Sequence, residues 1–257
     1  MLLKRALLLA TLPVVLFSCV KKDDPTIVDP PPARKDVHLY FDNFAGNDAL
    51  KLNSTTYTNE WGETFTVSMF NYYISNIKLN GPSGTYTESE SYHLIREGIE
   101  GSMHLHLEEV PAGTYNSITF TIGVDSARNV DGAQSGALAK ENGMFWDWNT
   151  GYIMAKLEGK ADASTKDDKS FRYHTGGFKG TNNVLRTITL NLPNNASVTS
   201  DKTAEIQIKA DLLKWFTPNM ISFAAVNSIM SEGPTAAKIA DNYSKMFSVT
   251  EVKSVNE

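Results

Sequence analysis

Cysteine is almost absent: Cys19 is the only one in 257 residues. One thiol excludes intrachain disulfides, and once it is used no thiolate remains to ligate a metal or attack a substrate. Any metal must then be held by His, Asp, Glu, Asn, Met or the backbone. The chain also lacks G-x-S-x-G, H-E-x-x-H and a glycine-rich phosphate loop, so nothing supplies an activated nucleophile and the chain reads as non-enzymatic. Net charge is −5, with no Lys/Arg cluster interleaved with aromatics, which argues against nucleic acid as a partner. No pair of carboxylates stands out for glycosidase work.

What is present begins with an address. Lys4 and Arg5 precede an apolar run from Ala6 to Phe17; about 12 apolar residues are too few to span a bilayer and read as a secretory signal. Leu16-Phe17-Ser18-Cys19 resembles a bacterial lipobox. Residues 1–18 are therefore expected to be a lipoprotein signal peptide, with Cys19 acylated as the mature first residue and anchored to a membrane. Residues 19–36, rich in proline and charge with little to bury, read as a flexible tether. Lys22-Asp23-Asp24 resembles the acidic export tag of outer-membrane lipoproteins, so the expected location is the outer membrane, facing the periplasm or the cell surface.

Residues 37–257 read as one domain. With 41% hydrophobic and 10% aromatic residues the chain can bury a substantial core. VHLYFDNF alternates, with Val37, Leu39 and Phe41 on one face. Phe65 to Leu79 is β-branched and aromatic and reads as a long strand with a bulge near Asn71. YHLIREG, GSMHLHLEEV, SITFTIGVD, FRYHTGGF, VLRTITLNL and AEIQIKADL follow, separated by turn residues. The pattern predicts a mainly β fold, an antiparallel β-sandwich. A short C-terminal helical segment completes it: LLKWF, then Pro234 to Phe247 with Ile239 and Tyr243 on one face, before a closing strand FSVTEV.

The segment Gly143 to Gly159, GMFWDWNTGYIMAKLEG, concentrates chemistry beyond what core building needs. If extended, it places Met144, Trp146 and Trp148 on one face. Such a face, with Tyr152 nearby, is either a corner of a core or a stacking platform for a surface glycan or protein partner. Five histidines are present: His38, His93, His104, His106 and His174. His104 and His106, in M-H-L-H-L, share a strand face at the spacing that lets two imidazoles share a metal, and face solvent if Leu105 and Leu107 face the core. His38 lies on the polar face of the first strand. His174 precedes two glycines that permit close backbone approach. Asp125, Asn129 and Asp131 offer hard oxygens that could take Ca²⁺, although no bidentate Glu follows and an Asx-stabilised turn explains them equally.

IGVDSARN, GALAKENGMFWDWNTGYIMAKLEG, FRYHTGG and KIADNYSKMFSV together resemble the MbnP-like lipoproteins, relatives of the methanobactin-associated copper-binding protein. The likeness spans Val37 to Val252; W-x-W-x-x-G-Y with a downstream F-x-x-H-x-G carries it. It implies an envelope β-protein binding copper through histidine beside a tryptophan oxidised to kynurenine, and an encoded partner resembling a dihaem peroxidase. His174 matches the family histidine, and Trp146 and Trp148 match the tryptophan pair, with Met144 a further donor. The chain departs at Phe41-Asp42-Asn43, where the family pattern F-x-H ends in histidine. An amide is a poor copper ligand, which leaves His38, His104 or His106 to substitute if the site is retained.

Overall fold

The computed structural model describes residues 33–131, 134–147 and 151–256. The strands begin with β1 (Arg34–Ala45), β2 (Asp48–Ala49), β3 (Thr56–Thr58), the long β4 (Thr64–Gly81), β5 (Gly84–Thr87) and β6 (Tyr92–Arg96). Then come β7 (His104–Pro111), β8 (Gly113–Ile122), β9 (Phe145–Asp147), β10 (Gly151–Ala161) and β11 (Ser170–Gly176). β12 (Arg186–Val198), β13 (Lys202–Asp211), β14 (Ser228–Ile229) and β15 (Phe247–Asn256) complete the set. Helices are few and short: α1 (Glu100–Met103), α2 (Ser126–Asn129) and α3 (Pro234–Tyr243). Strand makes up 54% of the chain, so the fold is mainly β, as the alternation predicted.

The strands form two sheets. In the five-stranded sheet the order is β15-β13-β1-β2, with β7 also paired to β1. The ten-stranded sheet runs β12-β8-β4-β10-β11-β14, with β3, β5, β6 and β9 added at its margins. Most pairings are antiparallel, but β1 runs parallel to β13 and β11 parallel to β14. The sheets are therefore mixed rather than purely antiparallel. The β1–β13 pairing joins the two ends of the domain, and strand alternation carries no signal for it.

Alternation decides which face is buried. Val37, Leu39 and Phe41 of β1 and Ala204, Ile206 and Ile208 of β13 are essentially inaccessible. Phe41 meets Tyr72 and Phe120 of the other sheet edge-to-face, at 6.5 and 6.0 Å between centroids, so the core lies between the sheets. Phe65, Phe171, Phe216 and Phe223 form a second aromatic group, with Phe171 and Phe223 at 4.5 Å. The irregularities of β4 flank Asn71 rather than fall on it. One is at Ser68, where Val67 and Met69 pair with consecutive residues of β10, and the other lies between Ser75 and Lys78. The helical segment forms, but shorter than read: Leu212–Phe216 is a 3-10 turn, and α3 buries Ile239 and Tyr243 yet ends at Tyr243, so that Phe247 opens β15 instead of closing the helix. Ordered strand begins at Arg34, three residues before the boundary expected from the pattern. Among the described residues no helix is long and apolar enough to cross a membrane; Cys19 and the signal and tether readings lie outside them.

Candidate metal centre

The centre is built by two adjacent strands. Because Leu39 and Val37 of β1 and Leu105 and Leu107 of β7 must face the core, the intervening residues face outward. A one-residue slip would bury imidazoles and expose leucines, so hydrophobic burial sets the register. In that register His38 pairs with His106, and Tyr40 with His104. Three imidazoles are thereby gathered on one face: ring centroids are 5.1 Å apart for His38 and His104, 4.6 Å for His38 and His106 and 4.3 Å for His104 and His106. One ring nitrogen from each lies within 4.8 Å of the others. This is the only such group of three His, Cys, Asp or Glu residues among those described.

The electrostatics favour a neutral His104 ring. His38 Nδ1 and His104 Nε2 are 2.9 Å apart in a hydrogen bond, which requires one nitrogen to keep its proton and the other to present a lone pair. Partial burial pushes the His104 pKa below its ordinary value, and the neighbouring His106 and His38 push it the same way. Two imidazolium ions this close would repel. Neutral imidazole is the form that ligates metal. Tyr40 stacks on His104 at 4.2 Å with 13° between planes, which limits the orientations of that ring. His38 and His104 are half-buried and His106 is exposed, so a bound ion would be reachable from solvent.

His174, the histidine singled out by resemblance, is elsewhere. It sits on β11 in the other sheet, opposite Lys156 of β10, and is not part of the three-histidine group. Its Nε2 contacts Glu158 Oε1 at 2.6 Å, while its Nδ1 is buried with no hydrogen-bond partner among the described residues. Trp146 lies over Gly176, two residues further along β11; a Cβ there would stand 2.3 Å from the indole Cζ3. Glycine at 176 is thus what lets the indole approach. Burial lowers the His174 pKa, against the Glu158 contact, which raises it. The unfolded chain therefore takes up this proton first as pH falls. Stability supplied by neutral His174 is complete above the ordinary histidine value of about 6.5 and is lost as pH drops through the lower folded value. Denaturation midpoints of His174→Gln followed over that interval are expected to fall less steeply than those of the parent chain.

The remaining sequence candidates are dispersed. Met144 is fully buried, Tyr152 is 2% exposed with its hydroxyl donating to Leu138 O at 2.6 Å, and Trp146 is half-buried. Tyr152 therefore cannot serve in a stacking platform, and this corrects the expectation that placed it there: this part of β10 is buried on both faces, and the Tyr152 ring packs against Tyr73 and Phe145. Trp148 lies outside the described residues. In the aspartate loop, Asp125 caps α2 through Ala127 N and accepts from Asn76 and Tyr92. Asn129 accepts from Tyr152 N at 2.9 Å, and Asp131 pairs with Arg128 at 2.9 Å. These oxygens are turned to protein donors, the Asx-turn arrangement rather than a cation cage. Asn43, where the family pattern has histidine, is buried between Tyr72, whose hydroxyl donates to it at 2.9 Å, and Glu97, to which it donates at 2.9 Å. The amide holds a core network there.

The MbnP family model matches residues 34–231, a span that contains all three clustered histidines. The chain belongs to the MbnP family. Among solved structures it is similar to MbnP from Methylosinus trichosporium, with 12% sequence identity and a TM-score of 0.51 over 86% of this chain and 99% of that one; at that identity the likeness establishes the shared fold. Comparison with curated proteins gives no match. Within this MbnP-family fold the three-histidine group could hold a metal ion, and the family association suggests copper. Two neighbours of the group, Tyr40 and Glu205, carried no sequence signal. Their alternation placed both outward, but only the strand pairing sets them beside the histidines.

Proposed function

We propose that this MbnP-family chain is a cell-envelope protein that binds copper through His38, His104 and His106 and does not turn over a substrate. The observation that carries the reading is the convergence of three imidazole nitrogens within 4.8 Å on one sheet face. Three imidazole donors with an open side toward solvent suit copper or zinc, and family membership favours copper. Support for the envelope comes from Lys4, Arg5, the apolar run and the lipobox-like approach to Cys19.

A second reading places copper at His174, favoured by its buried, unpartnered Nδ1 and by Trp146 over Gly176. That corner has one imidazole among the described residues, and its Nε2 is engaged by Glu158; one such donor is too few for tight binding. Zn(II) and Cu(I) titrations followed by ring resonances of the five histidines separate the two. One equivalent is expected to shift His38, His104 and His106 and leave His93 and His174 unmoved. Changes centred on His174 would transfer the site to the second sheet, and no change in any ring would remove the metal reading.

A further inference from the structure

The strand register extends the histidine row across the whole five-stranded sheet. His106 of β7 pairs with His38 of β1, His38 with Glu205 of β13, and Glu205 with Lys253 of β15. Ala204 and Ile206, on either side of Glu205, are completely buried while Glu205 is half-buried, so its side chain leaves the sheet on the histidine face. Adjacent strands are about 4.8 Å apart, which puts the Glu205 stem beside the His38 ring on the side opposite His106. Its negative charge bears on both His104 and Tyr40. Lys253, the cation opposite it, gives its ammonium to Glu251 at 3.1 Å. Glu205 stands outside the 4.8 Å histidine group, and its side chain would have to turn toward His38 and His104 to join it.

We propose that Glu205 is the fourth protein donor of the three-histidine centre, and that the centre accordingly takes a divalent cation, Cu(II) or Zn(II), in preference to Cu(I). This rests on the three-histidine reading and adds the oxidation state. Three neutral imidazoles cancel none of the ion's charge. A carboxylate is a hard anionic donor that offsets one unit of a 2+ ion, while the softer Cu(I) gains little from it. The device is a difference in affinity between two oxidation states of one metal, set by a residue that no local motif marks.

The test uses the full chain and its Glu205→Gln variant, which keeps shape and removes charge, with Glu205→Ala as a second variant. Cu(II) and Cu(I) affinities are measured separately by chelator competition, and the Cu(II) spectrum is recorded by electron paramagnetic resonance. Both variants are expected to weaken Cu(II) by at least about 10-fold, with Cu(I) affinity changed by less than about 3-fold and the Cu(II) hyperfine coupling altered. Unchanged Cu(II) affinity and spectrum in both variants would overturn the assignment, as would equal losses for Cu(I) and Cu(II). If the parent chain binds Cu(II) and His106→Ala abolishes it while Glu205→Gln does not alter it, the histidine site stands and only the role of Glu205 fails. Binding of Cu(I) without Cu(II) by the parent chain would overturn the Glu205 assignment and leave the histidine reading standing, and binding of neither would overturn both.

Discussion

His38→Ala is expected to lower copper affinity at least about 100-fold, a loss beyond what substitution around a ligand costs, while His174→Ala leaves it within about 2-fold. His38 is the pivot of the centre. It faces His106 directly across the β1–β7 pair and hydrogen-bonds His104 on the diagonal. Alanine at 38 removes one donor and also releases the constraint that orders the His104 ring. Stability should change little, because the side chain is on the outer face and the inward neighbours Val37 and Leu39 are untouched. His174 belongs to the other sheet, so its removal changes the pH dependence of folding and not metal affinity. Chelator competition on both variants beside the parent chain checks the pair; the reverse ranking would place the copper site at His174.

The largest effect on folding is expected at Trp215, the largest of the fully buried side chains. Its indole packs against Phe70 at 5.8 Å and Tyr243 at 5.3 Å, tying the 3-10 turn to β4 and α3. Trp215→Ala should destabilise by about 3–5 kcal/mol through lost burial and the cavity left behind, a large share of the roughly 5–15 kcal/mol typical of a domain. Trp215→Phe should behave differently. The indole Nε1 is buried without a hydrogen-bond acceptor among the described residues, and leaving such a donor unsatisfied costs about 1–3 kcal/mol. Phenylalanine removes that donor while retaining most ring contacts, so a net change under about 1.5 kcal/mol is expected, within the range of tolerated hydrophobic swaps. Urea denaturation midpoints at constant slope measure both. A loss of several kcal/mol in Trp215→Phe would mean that the N–H is satisfied by water or that the larger ring fills space phenylalanine cannot.

Local chemistry made much of the fold legible. Alternation in VHLYFDNF and MHLHLEEV identified the faces of β1 and β7 because one face of each strand is buried and the other is wet, a difference written into every second residue. Pro234 marked the start of α3 for a similarly local reason: its fixed φ and missing N–H suit a first turn. Tyr152 was misplaced because its segment interleaves apolar and polar residues without saying which side meets the core. Three-dimensional packing against Tyr73 and Phe145 decided it, at 5.6 and 5.0 Å between centroids.

By itself, the sequence determined a cysteine-poor chain, a mainly β domain, a family and four candidate histidines. Which of those histidines meet was decided by tertiary structure alone. His38 and His106 are separated by 68 positions and joined by backbone pairing between β1 and β7; His38 and Glu205 are joined by the parallel β1–β13 pairing. Strand pairing is a contest among many edges, settled by which arrangement buries the inward face of both sheets at once. A periodicity of two tells each strand which side to bury, and it holds no information about the neighbour that will lie 4.8 Å away, give or take a few tenths of an ångström.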